Sequence, residues 1–402
     1  MPDLRISWLD GLATLSPQQK GFLGEILRDP NRKLLLTGCA GSGKTLMAIF
    51  VKLILDKKFP DKNSLVLVYT KALEKFIIDN LKSRNAEIIA NDIDHYNSWG
   101  WYHNDYDLII VDEVQDFKSG WIEDVKSYSQ YQIWMGDTNQ WIYTEAQDTG
   151  GYDNLINEFA SKDKFNFDVN YRNTLNIAKF ASNFIQLNKY DEEIGISLKE
   201  KRKKFIEPIT KNERQISEAR NQPVFFIEAE DREKEIDCIV KTIEYIQNKE
   251  EESKQIAIVQ LTHHMDLDII EKGLSNRGYE IPRIPKENKE FILEMVNFTD
   301  PDLVLLSTAH SLKGLEFDYV IYPRSDSFSI HSKAPLLNIY FMLFARAKTG
   351  IYCSYVNKNN SLVYKIVEMV SDDSYYKILK SDEFLSLELD NEPTYHDEDL
   401  PF

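Results

Sequence analysis

One eight-residue window restricts the fold more than any other. Gly38 to Thr45 reads GCAGSGKT, a turn of the pattern G-x-x-x-x-G-K-[ST]. The apolar run Leu34 to Leu36 precedes it, and Leu46, Ile49, Phe50, Leu53 and Ile54 recur after it at helical spacing. Strand, glycine loop and helix in that order predict an α/β unit whose loop cradles phosphate. Glycines let backbone N–H groups curl around phosphate oxygens, and the helix N-terminus adds partial positive charge. Gly38, Gly41, Ser42 and Gly43 form such a cradle. Lys44 reaches the β- and γ-phosphates, and the Thr45 hydroxyl holds Mg²⁺. Cys39 reads as a small filler in this loop.

A second stretch then makes sense. IIVDEVQDF, residues 109 to 117, drives a β-branched apolar strand straight into Asp112 and Glu113. An isolated VDE would be a strand end with solvated acids. Beside a phosphate loop the pair has separate work to do, with Asp112 on the metal and Glu113 on the attacking water.

Composition excludes several classes. The 402-residue chain is 43% hydrophobic, enough for two or three cores. No apolar run approaches the roughly 18 residues of a membrane span. The start, MPDLRISWLDGL, lacks the basic opening and apolar centre of a secretory signal. Three scattered cysteines form no metal spacing or disulfide framework, so a cytoplasmic setting is expected. A net charge of −17 argues against nucleic-acid binding over the whole surface while leaving room for a local basic groove. Residues 381–402 hold eight carboxylates and no Lys or Arg, which predicts a solvated acidic tail.

Five further stretches narrow the class: LSPQQ (15–19), MGDTNQWIY (135–143), FDVNYRN (167–173), LSTAHSLKGLEFD (306–318) and NIYFMLFARAK (338–348). With the loop and the DEVQD box, in this order, the chain resembles the UvrD/Rep-like superfamily 1 helicases from about residue 14 to about residue 355. The resemblance implies two tandem RecA-like P-loop NTPase domains with parallel sheets. It implies ATP and Mg²⁺ as ligands, Gln19 as the residue reading the adenine edge, and Gln140 as the γ-phosphate sensor. Arg172 and Arg346 would clamp the γ-phosphate from the second domain, and Gly314 and Glu316 would approach the nucleotide sugar. His310 and Lys313 share that last segment, and His310 is given no proton-transfer role.

The nucleic-acid track is expected along Thr70 and Lys71, which suit phosphates, and along Tyr96, Trp99 and Trp101, which suit base stacking. Larger family members carry IYRWRG after the third motif, where this chain has IYTEAQ (142–147). Trp141 or Tyr143 would have to substitute for the stacking tryptophan. Ala345 stands where the family usually has Thr. His310 completes the expected nucleic-acid contacts.

The expected architecture is an N-terminal domain over 1–165, a C-terminal domain over 166–375 and an acidic tail over 376–402. PVFFIEA, QIAIVQL and DYVIYP are predicted strands of the second sheet, and 173–222 is predicted helical. KEKRKK (199–204) reads as a solvated helix face or a phosphate-backbone contact. The inserts that relatives carry between Trp101 and Asp107 and after about Pro285 have no room here. The resemblance therefore implies an ATP-dependent translocase or helicase on single-stranded DNA, or on RNA. The alternative is a nucleotide-sensing regulatory ATPase beside an effector such as a nuclease. Short UvrD-like proteins of this build occur in such pairs in bacterial anti-phage systems.

Overall fold

A computed structural model describes residues 15–83, 92–96, 98, 105–137, 139–142, 151–186, 195–210, 222–249, 253–261, 264–284, 293–327, 336–369 and 374–386. They form two six-stranded sheets in which every strand pair is parallel. Each is a RecA-like α/β unit.

The first unit opens with helix α1 (Pro17–Arg28). Ser16 and Gln19 cap it reciprocally, and Pro17 takes the first turn, where its missing N–H costs nothing. Then come β1 (Leu34–Gly38), α2 (Lys44–Lys58), β2 (Ser64–Val68), α3 (Lys71–Lys82), β3 (Ile93–His95), β4 (Tyr106–Val111), α4 (Ser119–Ser127), β5 (Ser129–Gly136), α5 (Gly151–Glu158) and β6 (Lys164–Phe167). The sheet order is β3-β2-β4-β5-β1-β6.

The second unit contains α6 (Leu175–Ser182), α7 (Leu198–Thr210), β7 (Val224–Glu228), α8 (Arg232–Lys249), β8 (Ile256–Gln260), α9 (His264–Ser275), β9 (Val304–Thr308), β10 (Phe317–Tyr322), α10 (Leu336–Phe344), β11 (Ala347–Tyr355), α11 (Leu362–Glu368), β12 (Tyr376–Lys380) and α12 (Ser381–Ser386). Its sheet order is β12-β7-β11-β10-β8-β9. The three predicted strands appear as β7, β8 and β10.

Alternation along the strands divides the cores. Leu34, Leu36, Val66, Val68 and Ile110 face one side of the first sheet, and Leu35, Leu67, Ile109 and Val111 the other. The first set runs on into Val224, Phe226, Ala257 and Val320 of the second sheet as one apolar cluster. Both faces are covered, so the strands read as continuous apolar runs. Where the units meet, Phe76 of α3 packs edge-to-face on Phe298 at 5.9 Å.

Three sequence expectations change. β6 pairs with β1, so the first sheet runs two residues past the expected boundary at 165. β12 pairs with β7 along Tyr376–Lys380 and leads directly into α12, so the expected acidic tail does not begin at 376. Within KEKRKK, Lys199, Lys203 and Lys204 are exposed. Lys201 and Arg202 turn inward instead, donating to the Gln186 and Asn183 carbonyls just past α6. Asn183 is the C-cap of α6, where carbonyls lack intrahelical partners. Among the described residues no helix is long and apolar enough to cross a membrane.

Candidate functional site

β1 ends in the glycine loop, and α2 starts at Lys44. Gly41 has φ 73°, a left-handed conformation, and a Cβ there would lie 2.8 Å from the Arg172 Cβ and collide with the Asn170 side chain. The second unit's leading segment thus presses on the loop backbone. The Tyr171 N–H donates to the Gly41 carbonyl at 2.9 Å. Asn170 is fully buried, and its Oδ1 accepts from the Arg172 and Asn173 N–H groups. From the other side the Gln19 amide donates to the Ser42 carbonyl at 3.1 Å. Lys44 is buried, with Nζ 2.8 Å from the Gly38 carbonyl and 3.1 Å from that of Cys39.

β4 delivers the acids. Thr45 Oγ1 donates to Asp112 Oδ2 at 2.5 Å, and the Glu113 N–H donates to Asp112 Oδ1 at 3.0 Å. This hydroxyl–carboxylate pair suits a hard divalent cation. Glu113 has φ 54° and ψ 38°, a left-handed conformation that costs a non-glycine residue roughly 1–2 kcal/mol. The bend turns its carboxylate into the cleft. Gln115 Nε2 donates to Glu113 Oε2 at 2.5 Å, and Gln115 Oε1 accepts from the Asp137 N–H at 3.1 Å. Asp137 in turn accepts from the Gln140 amide at 2.6 Å. One chain of hydrogen bonds therefore links β4 to the loop after β5.

The second unit meets that chain through two buried cations. Arg346 donates through NH2 to Gln140 Oε1 and stands 3.9 Å from Glu113 Oε1. Lys313 donates to Asp116 Oδ2 and, at 2.7 Å, to the Gln140 carbonyl, and its Nζ is 3.8 Å from Glu113 Oε2. Arg172 pairs with Glu316 at 2.9 Å and donates to the Ala345 carbonyl. Gly314, φ 86°, sits where a Cβ would collide with Leu73 of α3.

Electrostatics separates the two acids. Burial and the Glu113 charge push the Asp112 carboxyl up to about 6. Burial would raise Glu113 too, but Lys313, Arg346 and Lys44 outweigh it and hold this carboxyl well below the usual range. Burial and Arg172 lower Arg346 to about 10, still a cation at neutral pH. Asp112→Asn is therefore expected to stabilise the ligand-free protein, because it removes a buried charge while the Thr45 hydroxyl can accept in place of donating. A folded pKa raised from the unfolded value of about 3.9 makes ionised Asp112 destabilising, by on the order of 1–3 kcal/mol at pH 8. Its favourable contribution is complete below about pH 4 and lost as pH rises through about 6. Urea unfolding from pH 4 to 8 checks this: the gain should grow with pH, and a variant less stable than the parent at pH 8 contradicts it.

Gly41, Ser42, Gly43, Lys44, Thr45, Glu113, Gln140, Arg172, Gly314, Glu316 and Arg346 line one cleft. Asp112 reaches that cleft through Thr45, and Gly38 and Gln19 lie behind the loop. The track candidates fare differently. Thr70 caps α3 and donates to the Lys313 carbonyl at 3.3 Å. Lys71 begins α3. Tyr96 stacks on Tyr69 at 5.2 Å and on Trp121 at 4.2 Å, so its ring is part of an aromatic cluster rather than a bare platform. His310 sits half-buried, 3.4 Å from the Leu261 carbonyl, and burial lowers its pKa. Trp99, Trp101 and Tyr143 lie outside the described residues.

Sequence reasoning assigned no role to Phe76, Tyr171 and Lys348, which also line the cleft, or to Lys313, Asp116 and Asn170, which hold it together. Asp116 and Lys313 lie inside quoted motifs, and the signal for them was an acid beyond the paired carboxylates and a lysine directly before the glycine of KGLEF.

Residues 165–292 match the model of the UvrD-like helicase C-terminal domain, and residues 12–99 match that of the type III restriction enzyme res subunit. Among solved structures, the C-terminal domain of a possible DNA helicase from Lactobacillus plantarum WCFS1 aligns over 52% of this chain and 98% of its own. Identity there is 16%, with a TM-score of 0.33. No curated protein matches the chain.

Proposed function

The chain belongs to the UvrD-like superfamily 1 helicases, and from that premise we propose that it hydrolyses ATP in the cleft between its two sheets and uses the cycle to move on single-stranded DNA. The observation that supports this best is the meeting of Arg346 with Gln140 beside Glu113, across from Lys44. A cation from one unit touches the hydrogen-bond chain of the other at the point where a γ-phosphate would lie. We place the boundary between the units just after Phe167.

The residues fit a magnesium–nucleotide complex. Among the described residues, Ser42 Oγ and Arg346 Nε are buried with no hydrogen-bond partner. Thr45 and Asp112 would hold Mg²⁺, which would neutralise charge on the phosphates. Glu113, kept ionised by Lys313, Arg346 and Lys44, would accept the proton of the attacking water. Lys44, Arg172 and Arg346 would balance the charge that develops on the transferred phosphoryl group. Gln19 and Glu316 would fix the base and sugar ends.

Steady-state hydrolysis, measured with and without single-stranded DNA, duplex DNA or RNA, tests the proposal. Stimulation by single-stranded DNA is the expected result. Glu113→Gln should lower turnover by about 10²-fold with nucleotide binding retained. Lys44→Ala should lose binding as well, read by fluorescent-nucleotide titration. Slow hydrolysis indifferent to every nucleic acid would overturn the motor reading and favour a regulatory ATPase with a protein partner.

A further inference from the structure

Away from the cleft, α3 and β3 bring three ligand-type side chains to one point. His95 Nδ1 lies 2.8 Å from Glu74 Oε2 and 3.7 Å from Asp94 Oδ1. The ligand atoms of all three residues fall within 4.8 Å of one another. Ser98 Oγ is 3.1 Å from the same ring nitrogen and also contacts Asp94 Oδ1. His95 is 6% exposed, while the Glu74 and Asp94 side chains are 21% and 33% exposed, so the site opens to water on its acidic side only.

Among the described residues neither carboxylate is paired with a Lys or Arg; nearby Lys75 is taken by Asp79. Two carboxylates and a hydroxyl thus crowd one ring nitrogen, and a proton there can be shared with only one of them. The spacing has another solution. Ligands about 2.1 Å from a common ion stand roughly 3.0–3.4 Å apart at tetrahedral or octahedral angles. The observed 2.8 and 3.7 Å bracket that range.

We propose that Glu74, Asp94 and His95 form a binding site for a divalent transition-metal ion, with Ser98 or water completing the shell. One imidazole nitrogen with two carboxylates suits Mn²⁺, Fe²⁺, Co²⁺ or Zn²⁺ better than Mg²⁺ or Ca²⁺, which prefer oxygen throughout. The ion ties the first turn of α3 to the end of β3. It thereby fixes where the chain leaves β3 at Tyr96.

The site is tested without nucleotide or nucleic acid, so its failure and failure of the motor reading are separable. Mn²⁺ is titrated into the full chain and followed by electron paramagnetic resonance. One bound equivalent is expected, and pulsed spectra should show nitrogen coupling from a single imidazole. The Thr45–Asp112 position offers only oxygen, so that coupling assigns the ion. Binding should survive Asp112→Asn and weaken by 10²-fold or more in the isosteric double variant Glu74→Gln/Asp94→Asn. If that variant fails to fold, the wild-type spectrum alone decides. Oxygen-only coupling, affinity unchanged in the folded double variant, or no binding of Mn²⁺ would each overturn the proposal.

Discussion

Replacing Arg346 with methionine is expected to lower ATP turnover by on the order of 10³ to 10⁵-fold, the range for an arginine that balances charge in phosphoryl transfer. The side chain is 2% exposed, and its guanidinium divides its donors between the Gln140 side chain and, at 3.5 Å, the Leu315 carbonyl. Its Nε has no hydrogen-bond partner among the described residues. The group is thus desolvated, held between both units and left with spare donor capacity facing the cleft. Methionine keeps the volume and removes a buried charge, so the loss should appear in kcat far more than in stability. Stability should fall by about 1–3 kcal/mol for the Gln140 oxygen left without its donor. Arg346→Lys should recover little, because an ammonium cannot reach Gln140 and a phosphate with the planar fork of a guanidinium. Single-turnover hydrolysis with saturating nucleotide, beside a thermal melt, separates the two effects. Turnover within tenfold of the parent in a folded Met variant would mean that Arg346 serves only to hold Gln140.

The parts of this cleft that could be read from sequence are those whose residues are neighbours in the chain. GCAGSGKT holds loop, lysine and hydroxyl in eight consecutive positions, and VDE ends a strand whose apolar run is itself the signal. Which of Leu34, Leu35 and Leu36 faces which core was not legible, because all three are apolar and only the sheet separates them. Nor were partnerships across the fold. Lys313 and Asp116 are 197 positions apart, and nothing local says that a lysine in LKGLEF is wholly buried against an acid of DEVQD. Asn170 sits inside FDVNYRN, and nothing local shows that its side chain braces the Gly41 loop. The neighbours of Tyr96 were equally hidden: it follows a strand, as a base-stacking platform would, and the rings of Tyr69 and Trp121 pack against it from other segments. KEKRKK read as one basic face because charge alone does not reveal which lysines turn back toward a helix end.

The pairing that sequence could not show carries the second large effect. Lys313→Met is expected to destabilise the protein by about 3–5 kcal/mol, the cost of leaving a buried acid without its counter-charge. That is a large fraction of the roughly 5–15 kcal/mol that holds a typical domain folded. The side chains of Lys313 and Asp116 are both fully inaccessible. Burial already pushes the Asp116 carboxyl up to about 6 against the pull of Lys313, so without the lysine it would take up a proton or force water inward. Asp116→Asn in the same chain removes the stranded charge, and the double variant should regain most of the lost stability. It should not regain activity, because Lys313 also holds the Gln140 carbonyl and helps keep Glu113 ionised. Urea unfolding of the parent, both single variants and the double variant gives the coupling energy, and nucleotide hydrolysis on the same samples gives its functional counterpart. A Lys313→Met variant within 1 kcal/mol of the parent would show that water reaches the pair. Recovery of hydrolysis in the double variant would show that the lysine acts only by neutralising Asp116. Stability restored with hydrolysis still lost would mark Lys313 as the strut through which the second unit holds the catalytic acid and its sensing glutamine in one geometry.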